Sequence, residues 1–173
     1  MLSLRRRVVV TALALLGPLP ASSQTTPAPC RSEAHRAFDF WIGTWDVYRP
    51  NGQKVGVNDI GSAMGGCVLH ESYDAGAYHG ESFNTFDAAR GVWHQTWVDN
   101  QGALLLLEGG VTAGAMILRG ETTDAQGAKT LQRITWTRLE DDGTRVRQLW
   151  EVSSDGGKSW TVAFDGEYRR IAG

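Results

Sequence analysis

From Phe38 to Tyr168 the chain alternates apolar and polar residues in short runs rich in Trp, Val, Ile, Leu, Thr and Tyr. Clusters of Gly, Asn and Asp close these runs roughly every 10–14 residues. A period of two is the mark of a strand with one face turned inward, and no segment sustains the 3.6-residue period of a competing helix. The pattern predicts ten strands: 40–48, 54–63, 67–73, 78–86, 92–98, 104–111, 116–122, 131–139, 145–152 and 160–168. The intervening turns include Pro50-Asn51-Gly52, Gly65-Gly66, Asn100-Gln101-Gly102 and Asp155-Gly156-Gly157. Upstream, Ser32 to Phe38 suits one helical turn with Ser32 as N-cap and His35 on its surface. Ten short strands joined by tight turns make an all-β, antiparallel, up-and-down barrel, which leaves no free sheet edge and encloses a pocket.

The segment before the first strand reads differently. Residues 1–23 carry Arg5, Arg6 and Arg7, an apolar run from Val8 to Leu16, and a small-residue end at Ala21-Ser22-Ser23. This is the three-part layout of a secretory signal, with an apolar run shorter than the ~20 residues of a membrane-spanning helix. Arg6-Arg7 before three valines also fits a twin-arginine leader loosely. Residues 24–37 then form a linker with the short helical turn, and residues 38–173 form a single barrel domain. Pro27-Ala28-Pro29 ahead of Cys30 is not the pattern of a lipidated cysteine, so the expectation is a periplasmic or secreted protein with no membrane span.

Without the leader, 14 basic residues face 19 acidic ones, a net charge of −5, which argues against nucleic acid as a partner. The two cysteines, Cys30 and Cys67, would meet an oxidising compartment, where an even count favours pairing; a disulfide between them is expected, against the alternative of two buried thiols.

Motifs for chemistry are sparse. Ser153-Ser154-Asp155-Gly156-Gly157-Lys158-Ser159-Trp160 matches an Asp-box, S-x-D-x-G-x-S/T-W, whose role is that of a tight hairpin; it occurs once, whereas a propeller would repeat it. His70, His79 and His94 fall on three consecutive strands, but nothing in their spacing makes them converge, so no metal is expected. No zinc-protease, Cys-x-x-Cys, phosphate-loop or nucleophile-elbow motif is present.

The opening Phe38-Asp39-Phe40-Trp41-Ile42-Gly43-Thr44-Trp45-Asp46-Val47 contains a Gly-x-Trp pair that resembles the first strand of lipocalin-like (calycin) barrels. Taken with Gly65-Gly66-Cys67-Val68-Leu69-His70-Glu71, Trp93-His94-Gln95-Thr96-Trp97-Val98-Asp99 and Tyr168-Arg169-Arg170, nearly the whole mature chain is similar to a family of exported bacterial proteins of lipocalin-like fold. The resemblance implies fold and export and carries no reaction or ligand with it. Ten-stranded heme barrels of the nitrobindin type also begin with Gly-x-Trp, but they are expected to ligate iron through a histidine on a late strand, and no histidine follows His94 here. No cofactor is expected.

Alternation parity then nominates an inner face. Glu71 shares parity with Leu69 and Tyr73, Ser82 and Asn84 with Tyr78 and Phe86, Gln95 with Trp93 and Trp97, and Gln148 with Val146 and Trp150. Arg133 is grouped with Thr135 on the same inner surface. If these faces point inward, Glu71, Ser82, Asn84, Trp93, Gln95, Trp97, Arg133, Gln148 and Trp150 form the ligand-binding set, with Glu71 and Arg133 partnered with one another, with the amides or with a ligand. The leading expectation is an exported barrel that binds a small, partly apolar molecule. Its alternatives are an enzyme using Glu71 as acid or base, and a structural or partner-binding envelope protein whose barrel is filled. A raised Glu71 pKa beside a water-accessible pocket would favour the enzyme, an apolar cavity without it the carrier, and no cavity the third.

Overall fold

The computed structural model describes residues 28–171, so the leader, residues 24–27 of the linker and the last two residues lie outside the described part. The chain is all-β: ten antiparallel strands close into one barrel. They are β1 (Gly43–Tyr48), β2 (Lys54–Ala63), β3 (Val68–Ala75), β4 (Tyr78–Asp87), β5 (Val92–Asp99), β6 (Leu104–Thr112), β7 (Ala115–Thr123), β8 (Lys129–Arg138), β9 (Arg145–Ser153) and β10 (Thr161–Arg170). Each strand pairs with its neighbours in sequence, and β1 pairs with β10 to shut the barrel. One short helix, α1 (Glu33–Arg36), precedes them.

The predicted first strand begins too early. Phe40 and Trp41 belong to a 3-10 turn, Asp39–Trp41, and the strand starts only at Gly43. This turn points Trp41 into the barrel instead of along its wall. Ser32 does occupy the N-cap position, but its hydroxyl makes no capping bond; it lies 2.6 Å from His35 Nδ1. The disulfide between Cys30 and Cys67 is formed and ties α1 to the lead-in of β3 across 37 residues.

The barrel has two unlike ends. At the end where β1, β3, β5, β7 and β9 begin, Phe38, Trp41, Trp45, Trp93 and Trp136 are all buried. Phe38 stacks on Trp41 at 5.0 Å between ring centres and meets Trp136 edge-on at 5.1 Å. Offset and edge-on pairs of this kind add to the stabilisation that burial alone supplies. Two of the indole N–H groups bond to backbone, Trp45 donating to the Trp41 carbonyl at 2.9 Å and Trp93 to the Ala34 carbonyl of α1 at 3.1 Å, while the Trp41 N–H is buried without a partner. Arg170 seals the seam, its guanidinium 4.2 Å over the Trp45 ring and donating to the Ile42 carbonyl.

The opposite end is open. Register shifts at Val47/Tyr48 and at Val162/Phe164 leave Val55 and Ala163 as extra residues near the mouth, where both border the cavity. Bulges of this sort bend a strand and re-aim its side chains, and barrel rims are a common place for them. The Asp-box hairpin joins β9 to β10 at this same end. Asp155 Oδ1 accepts from the backbone N–H of Lys158 and Ser159, both at 2.9 Å, and its Oδ2 from the Ser159 hydroxyl at 2.6 Å. Those hydrogen bonds, that from the Ser159 hydroxyl foremost, hold the Asp155 carboxyl well below the usual carboxylate range.

Candidate functional site

A cavity of about 600 Å³ occupies the open half of the barrel. It has aromatic and aliphatic walls from Tyr73, Tyr78, Trp97, Leu105, Ile134, Trp150 and Phe164, a polar floor of Glu71, Gln95, Gln148 and Tyr168, and a mouth bearing Arg49 and Lys54. Three glycines shape the walls. A side-chain carbon added to Gly80 would lie 2.1 Å from the Trp97 ring, one on Gly166 2.6 Å from Phe164, and one on Gly56 2.9 Å from Tyr73. Each ring therefore lies flat against bare backbone, and the middle of the barrel stays clear.

Glu71 is the centre of the floor. It sits in β3 with only 3% of its surface exposed. Asn58 of β2 donates to Oε1 at 2.7 Å, and Ser82, directly across on β4, donates to Oε2 at 2.5 Å. Asn84 braces Ser82 by donating to its hydroxyl at 2.9 Å and donates to the Leu69 carbonyl as well. Burial pushes the Glu71 carboxyl up to about 7, against the opposing pull of the Ser82 and Asn58 hydrogen bonds and of His70. Desolvation wins because among the described residues no Lys or Arg is paired with this carboxylate, and two hydrogen bonds replace only part of its lost hydration.

Beside it, Tyr168 donates to Gln148 Oε1 at 2.7 Å and accepts a long bond from Asn58. Burial, and then the neighbouring Glu71 charge, raise the Tyr168 phenol well above its ordinary value, so it stays protonated. Trp136 also donates to Gln148 Oε1, at 3.0 Å. The Gln148 oxygen is thus held by two donors, and its amide orientation is set. Trp150 donates to Gln132 at 2.8 Å, which fixes the plane of that wall. Nearer the mouth, burial and the bonded Asp99 carboxylate push the Tyr78 phenol up to about 12.

The predicted site residues divide into four places. Glu71, Gln95, Trp97, Gln148 and Trp150 border the cavity. Ser82 and Asn84 are fully buried behind Glu71 and orient it without bordering the cavity themselves. Trp93 faces inward but packs in the aromatic plug with Phe38 and Phe86. Arg133 belongs to none of these and is corrected: it lies on the outside of β8, pairs with Glu151 at 2.9 Å, and stacks 4.0 Å over Trp160. The inner face of β8 is Gln132, Ile134 and Trp136, so the apolar pair at 134 and 136 sets the parity, and Arg133, of the opposite parity between Gln132 and Ile134, must face out. Of the partners foreseen for Glu71, which were Arg133, the amides or a ligand, Arg133 is not one; the carboxylate accepts from Ser82 and from Asn58.

Asn58, Tyr168, Tyr73 and Arg49 are site residues that the sequence reading did not nominate. Asn58 has the parity of Ile60, but Val55 and Val57 make the strand look apolar on both faces. Tyr168 continues the inward series Phe164, Gly166, Tyr168, a signal that was present.

The histidines stay apart on the outer surface, His70 beside Glu81, His79 beside Asp74 and His94 beside Glu108. Among the described residues no cluster of three metal-ligating side chains occurs, and no helix is long and apolar enough to cross a membrane. No family model and no curated protein matches the chain. What the structure defines is therefore a class, a closed ten-stranded antiparallel barrel with one plugged end and one open, polar-floored cavity.

Proposed function

We propose that the chain is an exported, lipocalin-like carrier that binds one small, partly apolar molecule inside the barrel. The observation that carries this reading is the cavity: about 600 Å³, open at one end, with aromatic walls and a few convergent polar groups at its floor. Pockets that hold small molecules have this size and this mixture of surfaces. A barrel filled by its own side chains, as an envelope scaffold would be, leaves no such volume. Export accords with the charged and apolar leader of residues 1–23 and with the Cys30–Cys67 disulfide, a bond that persists in oxidising compartments. Native mass spectrometry of the protein purified from its own host tests the reading. The expected spectrum shows a non-covalent mass of a few hundred daltons, released on denaturation; protein carrying no such mass at any stage of purification would count against a carrier.

A second reading, an enzyme using the same cavity, meets the condition named for it from the sequence, since the Glu71 carboxyl is raised to about 7 and borders the open pocket. A carboxyl of that kind can take or give a proton at neutral pH, as a general acid or base must. Both readings use the same cavity. They part on turnover: a bound molecule recovered chemically unchanged supports the carrier, whereas a product whose formation stops in Glu71→Gln supports the enzyme.

A further inference from the structure

We propose that the molecule bound in this cavity carries a basic nitrogen, held as a cation against the Glu71 carboxylate at the inner end. The assignment rests on the small-molecule reading above and names the chemistry of its ligand.

Three features of the floor and walls converge on it. First, among the described residues Glu71 is the one carboxylate bordering the cavity, while the cations there, Arg49 and Lys54, stand at the mouth, and Lys54 is paired with Asp46. A buried carboxylate with no cation partner is costly, and a cationic ligand removes that cost. Second, the carboxylate has accepting capacity left. Each Glu71 oxygen accepts one protein hydrogen bond, although a carboxylate has about four lone-pair sites in all. An ammonium group brings three donors and no acceptor, which complements such a surface, whereas a ligand carboxylate would bring only acceptors. Third, the surrounding walls are the aromatic rings of Tyr73, Trp97, Trp150 and Tyr168, and aromatic faces attract cations most strongly where water is excluded.

The groups facing Glu71 leave it as the titrating member of the floor. Asn58 from β2, Ser82 and Asn84 from β4, Gln95 from β5 and Gln148 from β9 carry no charge. Tyr168 from β10 is kept protonated by burial, and Tyr73 from β3 is shifted upward for the same reason. His70 lies on the outer side of β3, against Glu81. Because free Glu71 is half-protonated near pH 7, a cation that needs the ionised form binds about tenfold more tightly at pH 8 than at pH 6.

The test is calorimetric titration of the purified protein with three probes of one size: 1-naphthylmethylamine, 1-naphthalenemethanol and 1-naphthaleneacetic acid, each at pH 6 and pH 8. The amine is expected to bind tightest, with its affinity rising about tenfold between the two pH values. In Glu71→Gln the amine should lose both its advantage over the alcohol and its pH dependence, with alcohol binding retained; His70→Ala should keep both. Equal binding of amine and alcohol at pH 8, tightest binding of the acid, or no heat from any probe would overturn the assignment. A co-purified neutral or acidic molecule in the native mass spectrum would overturn it while upholding the carrier, and the absence of any co-purified molecule would count against the carrier itself. If Glu71→Gln does not fold, the amine-to-alcohol comparison across pH on the unaltered protein decides.

Discussion

The two ends of this barrel are built from the same residue types and do opposite things. At the plugged end, large rings face one another across the barrel and close the lumen. At the open end, rings of equal size lie against glycine and leave a cavity. A tryptophan in a strand is thus neither core nor ligand platform by itself; what stands across from it decides. The polar groups divide along the same line, since Glu71, Gln95 and Gln148 form a floor at the boundary between plug and cavity, where a hydrogen-bonded network can replace lost hydration on one side and meet a ligand on the other.

This contrast can be broken from the plugged side first. Trp41→Ala removes a fully buried ring from the centre of the plug and is expected to destabilise by about 3–5 kcal/mol. Urea unfolding measures the loss, and a variant as stable as the parent would show that the plug is not the seat of stability. Replacing Cys30 and Cys67 together by serine frees α1, the lid of that end. The 37-residue separation corresponds to about 3–4 kcal/mol of chain entropy restored to the unfolded state, read as a lowered midpoint that reducing agent does not lower further.

At the floor the sign reverses. The Glu71 carboxyl is raised in the folded state to about 7 from an ordinary 4.5, so the folded protein binds the extra proton. Its burden on stability is absent below about pH 4.5, grows between there and pH 7, and is constant above. Glu71→Gln, which keeps shape and removes charge, should therefore match the parent near pH 4 and exceed it by about 2–4 kcal/mol at pH 8. Paired urea titrations at the two pH values check this, and a variant less stable than the parent at pH 8 would mean that the carboxylate is stabilised by something other than its two hydrogen bonds. The smallest effect belongs to the outer wall. Arg133→Ala breaks a half-exposed ion pair with Glu151 and a contact over Trp160, and should cost under about 1 kcal/mol while leaving ligand affinity unchanged.

Arg133 also marks where sequence reading stops. Period-two alternation grouped the inner residues of β3, β4, β5 and β9, because Leu69 and Tyr73, Tyr78 and Phe86, Trp93 and Trp97, and Val146 and Trp150 share a parity within each strand, although Val68, Phe83, Val98 and Leu149 put an apolar residue on the other. In β8 both parities mix polar and apolar residues, and the decision falls to Ile134 and Trp136, larger than Thr135. In β2 the rim bulge changes the count between Val55 and Gly56, so a fixed period fails there and Asn58 goes unnoticed. Leu104 to Leu107 form an unbroken apolar run, yet Leu105 and Leu107 are buried while Leu104 and Leu106 are about half exposed; alternation exists in space without showing in the residues. The 3-10 turn at Asp39–Trp41 was hidden for a related reason, since Phe38, Phe40 and Trp41 suit a strand by propensity and are claimed by the plug instead.

Gly56, Gly80 and Gly166 set the calibre of the lumen. A methyl at Gly80 or Gly166 meets a ring first and drives it off the wall, and the other side of that ring borders the cavity, whereas a methyl at Gly56 would lie 2.6 Å from the Asp74 carbonyl as well as against Tyr73. The bore can therefore be narrowed in two separate steps, one ring at a time, with Glu71 and its hydrogen-bonded neighbours untouched. For a ligand of the kind proposed, fit by girth and recognition by charge would be written at different positions of this barrel, so that one could change without loss of the other.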